Sequence, residues 1–429
     1  MTSLALVLSK TEADGLVGID EVFLWDGSAN DSFKSLLKPD LSSLGPVPSL
    51  NADFVRIALA VNAADHSVLR NARGSSWNRR ELDLSVPVSD PTLWSAHSTR
   101  LIALTNFLTG DSWNFSFSQA NLDASTVSMI DDTSKRVVLV SGGADSATGA
   151  LLSARGLTGQ ETHTLVSHSS SSASGKPQRS VASAINASYP GKTAAHHQVF
   201  LSRVRKRLDG TYYRSESSSR SRSLLFLALG LAIASQSGSP LWIPENGFAS
   251  LNPPLGPERI GALSTRTTQP WFLEQVILLL AEVGAHGLIE NPFQRMTKGE
   301  MFAEVAKILG ASEASTFLSA TSSCSHTDQH HLKGVTSGTH CGVCFGCVVR
   351  KASFKAAGLT DGTKYLSDES AKYATYLAQR SILEATRDFV ESGIDVPTVM
   401  AMALPGSLGV REALELCERG LNELGESLS

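Results

Sequence analysis

The sequence lacks three features that would assign it to a broad class at once. Its 429 residues contain no apolar run as long as a membrane span, and residues 1–13 lack the basic start and long apolar stretch of a signal peptide. Its formal net charge is only −4, which argues against general nucleic-acid binding. We therefore expect a cytoplasmic protein whose main partner is neither a membrane nor a nucleic acid.

Cysteine is also scarce, with five residues in the chain, four of them in one short region. So few thiols argue against a disulfide-stapled fold and suit a reducing compartment. Apolar residues make up 42% and charged residues 18% of the chain, as in an ordinary globular protein. At this length we expect a large core and two or more domains.

The most informative stretch is a glycine loop that directly follows the apolar run at residues 137–140. The loop reads Ser141-Gly142-Gly143-Ala144-Asp145-Ser146 and leads into small residues that are typical of a helix. A strand that passes through a glycine turn into a helix presents free N–H groups and the positive end of the helix dipole to an anion. Two adjacent glycines let the backbone close around a phosphate, since no Cβ intrudes.

The side chains of this loop support the same interpretation. Ser141 and Ser146 add hydroxyl donors, and Asp145 is placed to cap the helix or to hold Mg²⁺. The loop is not a Walker motif, because the Gly-Lys-Ser/Thr ending is missing, and it is not Gly-x-Gly-x-x-Gly. It resembles the pyrophosphate loop of the ATP pyrophosphatase superfamily, whose members split ATP into AMP and pyrophosphate. The alternative is a glycine-rich turn without a ligand, and the Asp-Ser ending after a buried strand argues against it.

From residue 135 onward, apolar strands alternate with helical segments. Strands are predicted at 162–167, 196–201 and 241–244, and helices at 180–187, 223–235 and 271–283. The pattern predicts an α/β fold, a doubly wound and mostly parallel sheet over residues 131–360, with ligands at the carboxyl ends of its strands. The serine run at 169–174 follows one such strand and fits a flexible linker and a place beside the nucleotide equally well.

Three further groups of residues are candidates for the site. Arg220 and Arg222 precede an apolar helix, where guanidinium groups and free N–H groups suit a phosphate. The long polar connection that follows has the composition of a rigid binding loop, and we assign substrate binding to its residues Glu245, Asn246, Asn252, Arg259, Arg266 and Thr267. Lys298 lies between Thr297 and Glu300, a predicted N-cap and capping box.

These candidates divide into two roles. We predict that ATP binds to Ser141, Gly142, Gly143, Asp145, Ser146, Arg220 and Arg222. We predict catalytic roles for Asp145, Ser146, Arg222 and Lys298.

Four of the cysteines form a metal-binding pattern, Cys324, Cys341, Cys344 and Cys347. The Cys-x-x-Cys steps supply three thiolates from one turn, and Cys324 supplies the fourth ligand of a tetrahedral zinc site. Because four thiolates leave no position for water, we predict one structural zinc. An iron–sulfur cluster is the chemical alternative.

The two ends of the chain differ from the central unit. Residues 1–130 are predicted to form an α+β accessory domain, with strands at 22–25, 54–61, 82–86 and 113–117 and a helix at 93–108. Its basic residues Arg70, Arg73, Arg79 and Arg80 are interpreted as a solvated loop. Residues 361–429 are predicted to form a helical extension, with helices at 367–392, 397–403 and 410–424.

The order of these motifs is more specific than any one of them. The glycine loop, the arginine-headed helix, Thr297-Lys298-Gly299-Glu300, the four cysteines and Arg350-Lys351-Ala352-Ser353-Phe354 together resemble QueC, the 7-cyano-7-deazaguanine synthase, over residues 135–360. The resemblance implies an enzyme that adenylates 7-carboxy-7-deazaguanine with ATP and adds ammonia to form the amide. A second ATP would then drive dehydration to the nitrile.

The chain departs from QueC in its extra ends and in the segment 245–268, where QueC has a different, Asp-containing segment. Both departures are similar to the QueC-like proteins of anti-phage operons, most of all the QatC family of the Qat system. That resemblance implies transfer of the activated deazaguanine carboxylate to the N-terminal amine of a partner protein similar to QatB. Because residues 1–130 carry aromatic residues but no candidate catalytic group, we predict that they dock this partner. The expected cofactors are ATP, Mg²⁺ and one Zn²⁺. The alternatives are a decorated housekeeping synthase and a catalytically silent nucleotide-binding subunit of a defence complex.

Overall fold

The computed structural model describes residues 1–70, 79–122, 134–170, 172–254, 266–326, 329, 332–336 and 338–428. The strands are β1 (Thr2–Val7), β2 (Glu21–Leu24), β3 (Phe33–Ser35), β4 (Glu81–Val88), β5 (Ser112–Gln119), β6 (Arg136–Leu139), β7 (His163–Ser169), β8 (Thr193–Arg203), β9 (Leu241–Trp242) and β10 (Ile289–Glu290). The helices up to the middle of the chain are α1 (Lys10–Gly15), α2 (Ser49–Ser67), α3 (Pro91–Ala96), α4 (Ser98–Thr109), α5 (Ala144–Arg155), α6 (Ser172–Ser188) and α7 (Arg222–Ser237). The later helices are α8 (Gly247–Leu251), α9 (Pro270–Val283), α10 (Lys298–Leu309), α11 (Ala311–Ser319), α12 (Phe345–Ala356), α13 (Ala374–Ala378), α14 (Leu383–Ser392), α15 (Val396–Met400) and α16 (Val410–Leu428).

The strands form two sheets. The first has the order β2-β1-β4-β5, and all its pairings are parallel. The second has the order β10-β9-β6-β7-β8-β3, and it is parallel except for β3, which runs antiparallel to β8. The second sheet is thus the mostly parallel α/β sheet that the sequence predicts.

Strand β6 shows why this sheet carries helices on both faces. Successive side chains of a strand point to opposite sides. Val138 and Val140 belong to a core that includes α5 and Phe302 of α10, while Val137 and Leu139 belong to the core that includes α7. The glycine loop directly follows the carboxyl end of β6. It therefore lies at the edge of a sheet whose two faces are both buried.

Three predictions for the N-terminal segment were wrong in whole or in part. Residues 54–61, predicted as a strand, lie inside helix α2, because a continuous apolar run fits a buried helix as well as a buried strand. The segment was also predicted to be α+β, but its sheet is entirely parallel and therefore α/β. The helix predicted at 93–108 is two helices, α3 and α4, which meet at His97.

The N-terminal segment shares one hydrophobic core with the central sheet. That core runs from Leu4 in β1 to Ile289 in β10, and α2 packs against α7 within it. Strand β3 belongs to the second sheet, where Ser35 Oγ donates a 2.8 Å hydrogen bond to the carbonyl of Phe200. The predicted division into 1–130, 131–360 and 361–429 stays a prediction.

The C-terminal extension is helical, as predicted, but more divided. Residues 367–392 form a 3₁₀ helix at Leu366–Glu369 and the two helices α13 and α14. The last helix, α16, packs against α12 and α8. In the residues that the structure describes, no helix combines the length and apolar composition needed to cross a bilayer.

Candidate nucleotide site

The glycine loop connects β6 to α5 in a conformation that only glycine accommodates. Gly142 has a φ of +89°, and a Cβ there would lie 2.9 Å from the Cβ of Pro177. Ser141 Oγ accepts a 3.3 Å hydrogen bond from the Gly143 N–H, and Ser146 Oγ donates 2.9 Å to the Gly143 carbonyl. Helix α5 has no side-chain cap, so the N–H groups of its first turn remain available to an anion.

Asp145 lies in the first turn of α5 and is the centre of a charged cluster. Its Oδ1 is 2.8 Å from Nζ of Lys298, and its Oδ2 accepts a 2.7 Å hydrogen bond from Asn246 Nδ2 and a 3.2 Å bond from the Asn246 N–H. Asn246 is itself fixed, because its Oδ1 caps α8 at the Ala249 N–H. Three segments far apart in the sequence thus meet on one carboxylate.

The pKa of Asp145 reflects these contacts. Burial alone would raise it, but the ammonium of Lys298 and hydrogen bonds from Glu245, Lys298 and Asn246 lower the pKa to about 2. Asp145 is therefore an anion at neutral pH.

Lys298 is the first residue of α10 and is only 8% exposed. The predicted capping box is present, since Thr297 Oγ1 accepts from the Glu300 N–H and Glu300 accepts from the Thr297 N–H. This box fixes where α10 begins. It thereby directs the lysine stem toward the glycine loop.

A third wall of the site comes from the segment before the cysteines. The Ser322 N–H donates a 2.9 Å hydrogen bond to the Gly142 carbonyl. Buried Arg350 holds this segment by donating to Thr321 Oγ1 and Ser323 Oγ. The result is a cleft of about 270 Å³ lined by Ser141, Gly143, Asp145, Ser146, Glu245, Asn246, Lys298, Ser322, Ser323 and Phe345, among others.

The four cysteines lie together beside this cleft. The Sγ atoms of Cys324, Cys341, Cys344 and Cys347 all lie within 4.8 Å of one another. The Sγ atoms of Cys341 and Cys347 are 3.8 Å apart, and those of Cys324 and Cys344 are 3.9 Å apart. A tetrahedral zinc with bonds of about 2.3 Å to sulfur requires S···S distances of about 3.8 Å.

The cysteine cluster can therefore hold a zinc ion, as the sequence predicts. The backbone supports it, because the Cys341 N–H donates to Cys324 Sγ at 3.4 Å and the Cys344 N–H to Cys341 Sγ at 3.3 Å. Such N–H···S bonds stabilise coordinated thiolates. Asp145 and Glu245 are the ligand type that Mg²⁺ prefers, and magnesium stays a prediction.

The structure separates the other predicted residues from this cleft. Arg220 is buried and donates from Nη1 to the Thr109 carbonyl, and Arg266 donates to the Phe107 carbonyl and lies over the Phe107 ring. Asn252 ends α8 in the left-handed region. Thr267 is half-buried and is not among the lining residues of the cleft, and Arg259 lies outside the described residues.

Arg222 does not line the cleft either, but it remains a candidate because it lies at the same edge of the sheet, near the end of β7. It begins α7, is exposed, and is close enough to His168 at the end of β7 to lower the pKa of that imidazole. Burial is the larger cause, and the pKa of His168 falls to about 4. Among the described residues, His168 Nδ1 and Ser223 Oγ are buried without a hydrogen-bond partner, so the start of α7 offers unused polar groups.

Sequence reasoning missed Ser322 and Ser323, which line the cleft, and the structural role of Arg350. A signal for Arg350 did exist, because it follows the cysteines in the motif that resembles QueC. Ser322 lies in a polar stretch without a local pattern. Only the tertiary contact with Gly142 identifies it.

Comparison with known proteins adds an independent finding. The chain is 30% identical over 255 residues to the 7-cyano-7-deazaguanine synthase of Cupriavidus taiwanensis, covering 54% of this chain and 98% of that protein. It is 33% identical over 147 residues to the enzyme of the same name from Novosphingobium aromaticivorans (33% and 53% covered). It is 30% identical over 153 residues to 7-cyano-7-deazaguanine synthase 1 of Sphingopyxis alaskensis (34% and 57% covered).

The last two matches span little more than half the length of those relatives. No family profile and no solved structure matches the chain. The match to the Cupriavidus taiwanensis protein, in contrast, extends over nearly the whole relative. The resemblance to QueC is thereby confirmed, whereas the closer resemblance to QatC stays a prediction. The chain belongs to the 7-cyano-7-deazaguanine synthase family.

Proposed function

We propose that this protein is an ATP-dependent carbon–nitrogen ligase that activates 7-carboxy-7-deazaguanine as its adenylate. One observation carries the proposal: an uncapped helix start, a lysine and two carboxyl groups converge on one cleft beside the glycine loop. N–H groups and a buried ammonium are the donors that stabilise a departing pyrophosphate. The relatives' name supports a deazaguanine substrate.

The proposed reaction has two steps. In the first, an oxygen of the substrate carboxylate bonds to the α-phosphorus of ATP, and the bond to the β-phosphate oxygen breaks to release pyrophosphate. In the second, an amine nitrogen attacks the carbonyl carbon of the acyl adenylate, AMP leaves, and the amine loses a proton. Mg²⁺ bound to ATP would neutralise phosphate charge.

Each site residue has a defined part in this scheme. The glycine loop and Ser146 bind the pyrophosphate portion, and Arg222 binds a neighbouring phosphate through its guanidinium. Lys298 neutralises charge that develops on the leaving group. Asp145 holds Lys298 in place and, with Glu245, supplies oxygen ligands for Mg²⁺.

We propose that the acceptor is the N-terminal amine of a QatB-like partner protein from the same operon. The match that covers 98% of the Cupriavidus taiwanensis enzyme covers only 54% of this chain, so nearly half of the chain lies outside the region shared with that enzyme. Docking a partner on residues 1–130 would hold its flexible terminus near the adenylate and make the second step nearly intramolecular.

The relatives favour a second candidate, 7-cyano-7-deazaguanine synthase itself. In that reaction ammonia is the amine, and a second ATP drives dehydration of the amide to the nitrile. The first step is common to both candidates. They differ only in the acceptor and in the ATP consumed per product.

The test is to incubate the purified protein with ATP and 7-carboxy-7-deazaguanine, with ammonium or with the co-purified partner. We expect AMP and pyrophosphate, and a partner whose mass increases by one deazaguanine acyl group. Nitrile formed with ammonium, with no change in the partner's mass, would identify the synthase. Formation of ADP and phosphate would exclude adenylation, and no turnover with intact ATP binding would identify a silent subunit.

A further inference from the structure

Two carboxylates outside the cleft bind the starts of the two helices that carry the candidate cations Arg222 and Lys298, of which Lys298 lines the cleft. Asp65 in α2 binds the residues that lead into α7, which begins with Arg222. Glu423 in α16 binds the first turn of α10, which begins with Lys298. Asp65 precedes the glycine loop in the sequence, and Glu423 follows the cysteine cluster.

Asp65 Oδ2 accepts four hydrogen bonds from the segment before α7. The donors are the N–H groups of Arg220 (2.7 Å) and Ser221 (2.9 Å) and the hydroxyls of Ser219 (3.1 Å) and Ser221 (2.8 Å). Ser221 is the N-cap of α7 but makes no side-chain cap bond of its own. A residue 156 positions away in the sequence therefore fixes the point where α7 starts.

Arg70 and Arg80 hold Asp65 from the other side. Both guanidinium groups bind its Oδ1, and all three side chains are buried. Burial would raise the pKa of Asp65, but Arg80 and Arg70 lower it to about 2, so the acceptor is a full anion. A buried carboxylate paired in this way has little freedom to move. Because residues 219–221 are hydrogen-bonded to it, their backbone has little freedom to move either.

Glu423 makes the equivalent contacts at α10. Its Oε1 accepts from the Thr297 hydroxyl, and its Oε2 accepts a 3.1 Å bond from the Gly299 N–H, an otherwise free donor of the first turn. Helix α16 reaches this position by close packing, since a Cβ on Gly420 would lie 2.4 Å from the Phe248 ring. Phe248 belongs to α8, which Asn246 caps.

We propose that Asp65 and Glu423 are positioning residues: Asp65 fixes Arg222 and Glu423 fixes Lys298 for the phosphates of the nucleotide. The inference rests on the proposed nucleotide site. It gives the chain segments on both sides of the central sheet a part in catalysis without any contact with substrate.

The test for Asp65 has a matched control in Asp111. Both carboxylates are buried and both bind Arg70 and Arg80, but only Asp65 contacts residues 219–221. We expect Asp65→Asn to raise KM for ATP about tenfold, equivalent to about 1.4 kcal/mol. Asp111→Asn should destabilise the fold to a similar degree as Asp65→Asn but leave KM unchanged. In an Arg222→Ala background, Asp65→Asn should have no further effect on KM.

A readout independent of activity separates this inference from the proposed function. Amide hydrogen exchange at residues 219–225 should become faster in Asp65→Asn than in Asp111→Asn. If wild-type protein failed to bind ATP, the proposed function would fail while the exchange experiment still reported on Asp65. If Asp65→Asn does not fold, Ser221→Ala can replace it, because it removes one of the four hydrogen bonds without unpairing a charge. Faster amide exchange at residues 219–225 in Ser221→Ala would support the proposal, and unchanged exchange would contradict it.

The test for Glu423 uses Glu412 as its control, since both lie on α16 and Glu412 pairs with exposed Arg295. A glutamine amide nitrogen cannot accept a hydrogen bond, so Glu423→Gln loses one of the two contacts with α10. We expect a lower kcat/KM for Glu423→Gln, an unchanged value for Glu412→Gln, and no effect of Glu423→Gln in a Lys298→Met background. The proposal would be overturned if Glu423→Gln and Glu412→Gln lowered kcat/KM equally. It would also be overturned if the effect of Glu423→Gln were as large in the Lys298→Met background as in the wild type.

Discussion

Asp145 and Asp65 are alike in charge and burial but differ in what surrounds them. Neighbouring cations hold the pKa of each carboxyl at about 2. Protein groups saturate both oxygens of Asp65, and its side chain has no exposed surface. Asp145 lines a cleft beside uncapped N–H groups, where a ligand can reach it.

The comparison shows that a low carboxyl pKa does not identify a functional site. Ion pairs closed off from any ligand shift a carboxyl pKa as much as a binding site does. Access to a cleft distinguishes the two carboxylates. The same distinction separates Arg220, which is buried beside Asp65, from Arg222, which is exposed two residues later.

The cysteine cluster extends the comparison to a metal site and gives the largest expected effect. We expect about one zinc per chain by elemental analysis, because four thiolates at these distances fit a tetrahedral ion. Cys344→Ser should lose the metal and most of the soluble protein, since binding energy at structural zinc sites is folding energy. Iron in place of zinc would support a cluster instead, and a metal-free but stable wild type would contradict the prediction.

A pair of variants tests the comparison directly. Asp145→Asn should lower pyrophosphate release about 10²–10³-fold, because Lys298 loses the anion that holds it beside the leaving group. Thermal unfolding should change less than in Asp111→Asn, since Lys298, although only 8% exposed, lines a cleft that water can enter. Asp111→Asn should behave in the opposite way, losing about 3 kcal/mol of unfolding free energy in urea with normal turnover per folded molecule. If both variants lost activity and stability in the same proportion, the distinction would fail.

Local sequence patterns predicted the central site well. Contacts between residues far apart in the sequence could not be predicted from such patterns. The glycine loop, the capping box at Thr297 and the cysteine spacing are short-range patterns, and each appears in the structure where the sequence places it. Arg70 and Arg80 were interpreted as a solvated loop but are buried in ion pairs. Their partner Asp111 lies 41 and 31 residues away, beyond the reach of any local pattern.

The N-terminal segment shows the same limit for secondary structure. Strand β1 was not predicted, and residues 54–61 of α2 were predicted as a strand, because both segments are mostly apolar and lack a clear period. Which one becomes a helix depends on the space between the two sheets, where α2 packs on α7.

The sharing of one core also means that removal of residues 1–130 would expose α7 and leave its start without Asp65. Partner docking is therefore better tested by surface substitutions than by truncation.

The buried imidazole of His163, which lies between two hydroxyl groups, predicts that the stability of the fold depends on pH. His163 is fully buried, with Nδ1 2.7 Å from Ser153 Oγ and Nε2 3.0 Å from Thr193 Oγ1. Burial, and to a lesser degree Arg136, lowers its pKa from 6.5 to about 4. Because the unfolded chain binds this proton more readily, the stabilisation is complete above pH 6.5 and is lost as pH falls toward 4.

We expect the unfolding free energy to fall by about 3 kcal/mol between pH 7 and pH 4 because of His163. The figure follows from its lowered pKa at about 1.36 kcal/mol per pKa unit. Urea denaturation at several pH values measures it. In His163→Gln, which can still bond to both hydroxyls, the dependence over this range should be weaker by that amount. An identical pH dependence in both proteins would show that His163 is not responsible.

The smallest expected effect comes from the two neighbouring arginines. Lysine keeps the positive charge but cannot form the planar two-pronged contact of a guanidinium. At Arg222 we expect Arg222→Lys to raise KM for ATP by about tenfold or less, with unfolding unchanged, since the residue is exposed and proposed to bind a phosphate. At Arg220 the guanidinium donates to the Thr109 carbonyl inside the closed cluster, so Arg220→Lys should lower the unfolding temperature and leave KM unchanged. Titration of each variant with ATP, alongside thermal unfolding, separates the two outcomes. If Arg220→Lys were the variant that raised KM, the sequence-based assignment of Arg220 to the phosphates would stand, and the closed cluster would have to open when the nucleotide binds.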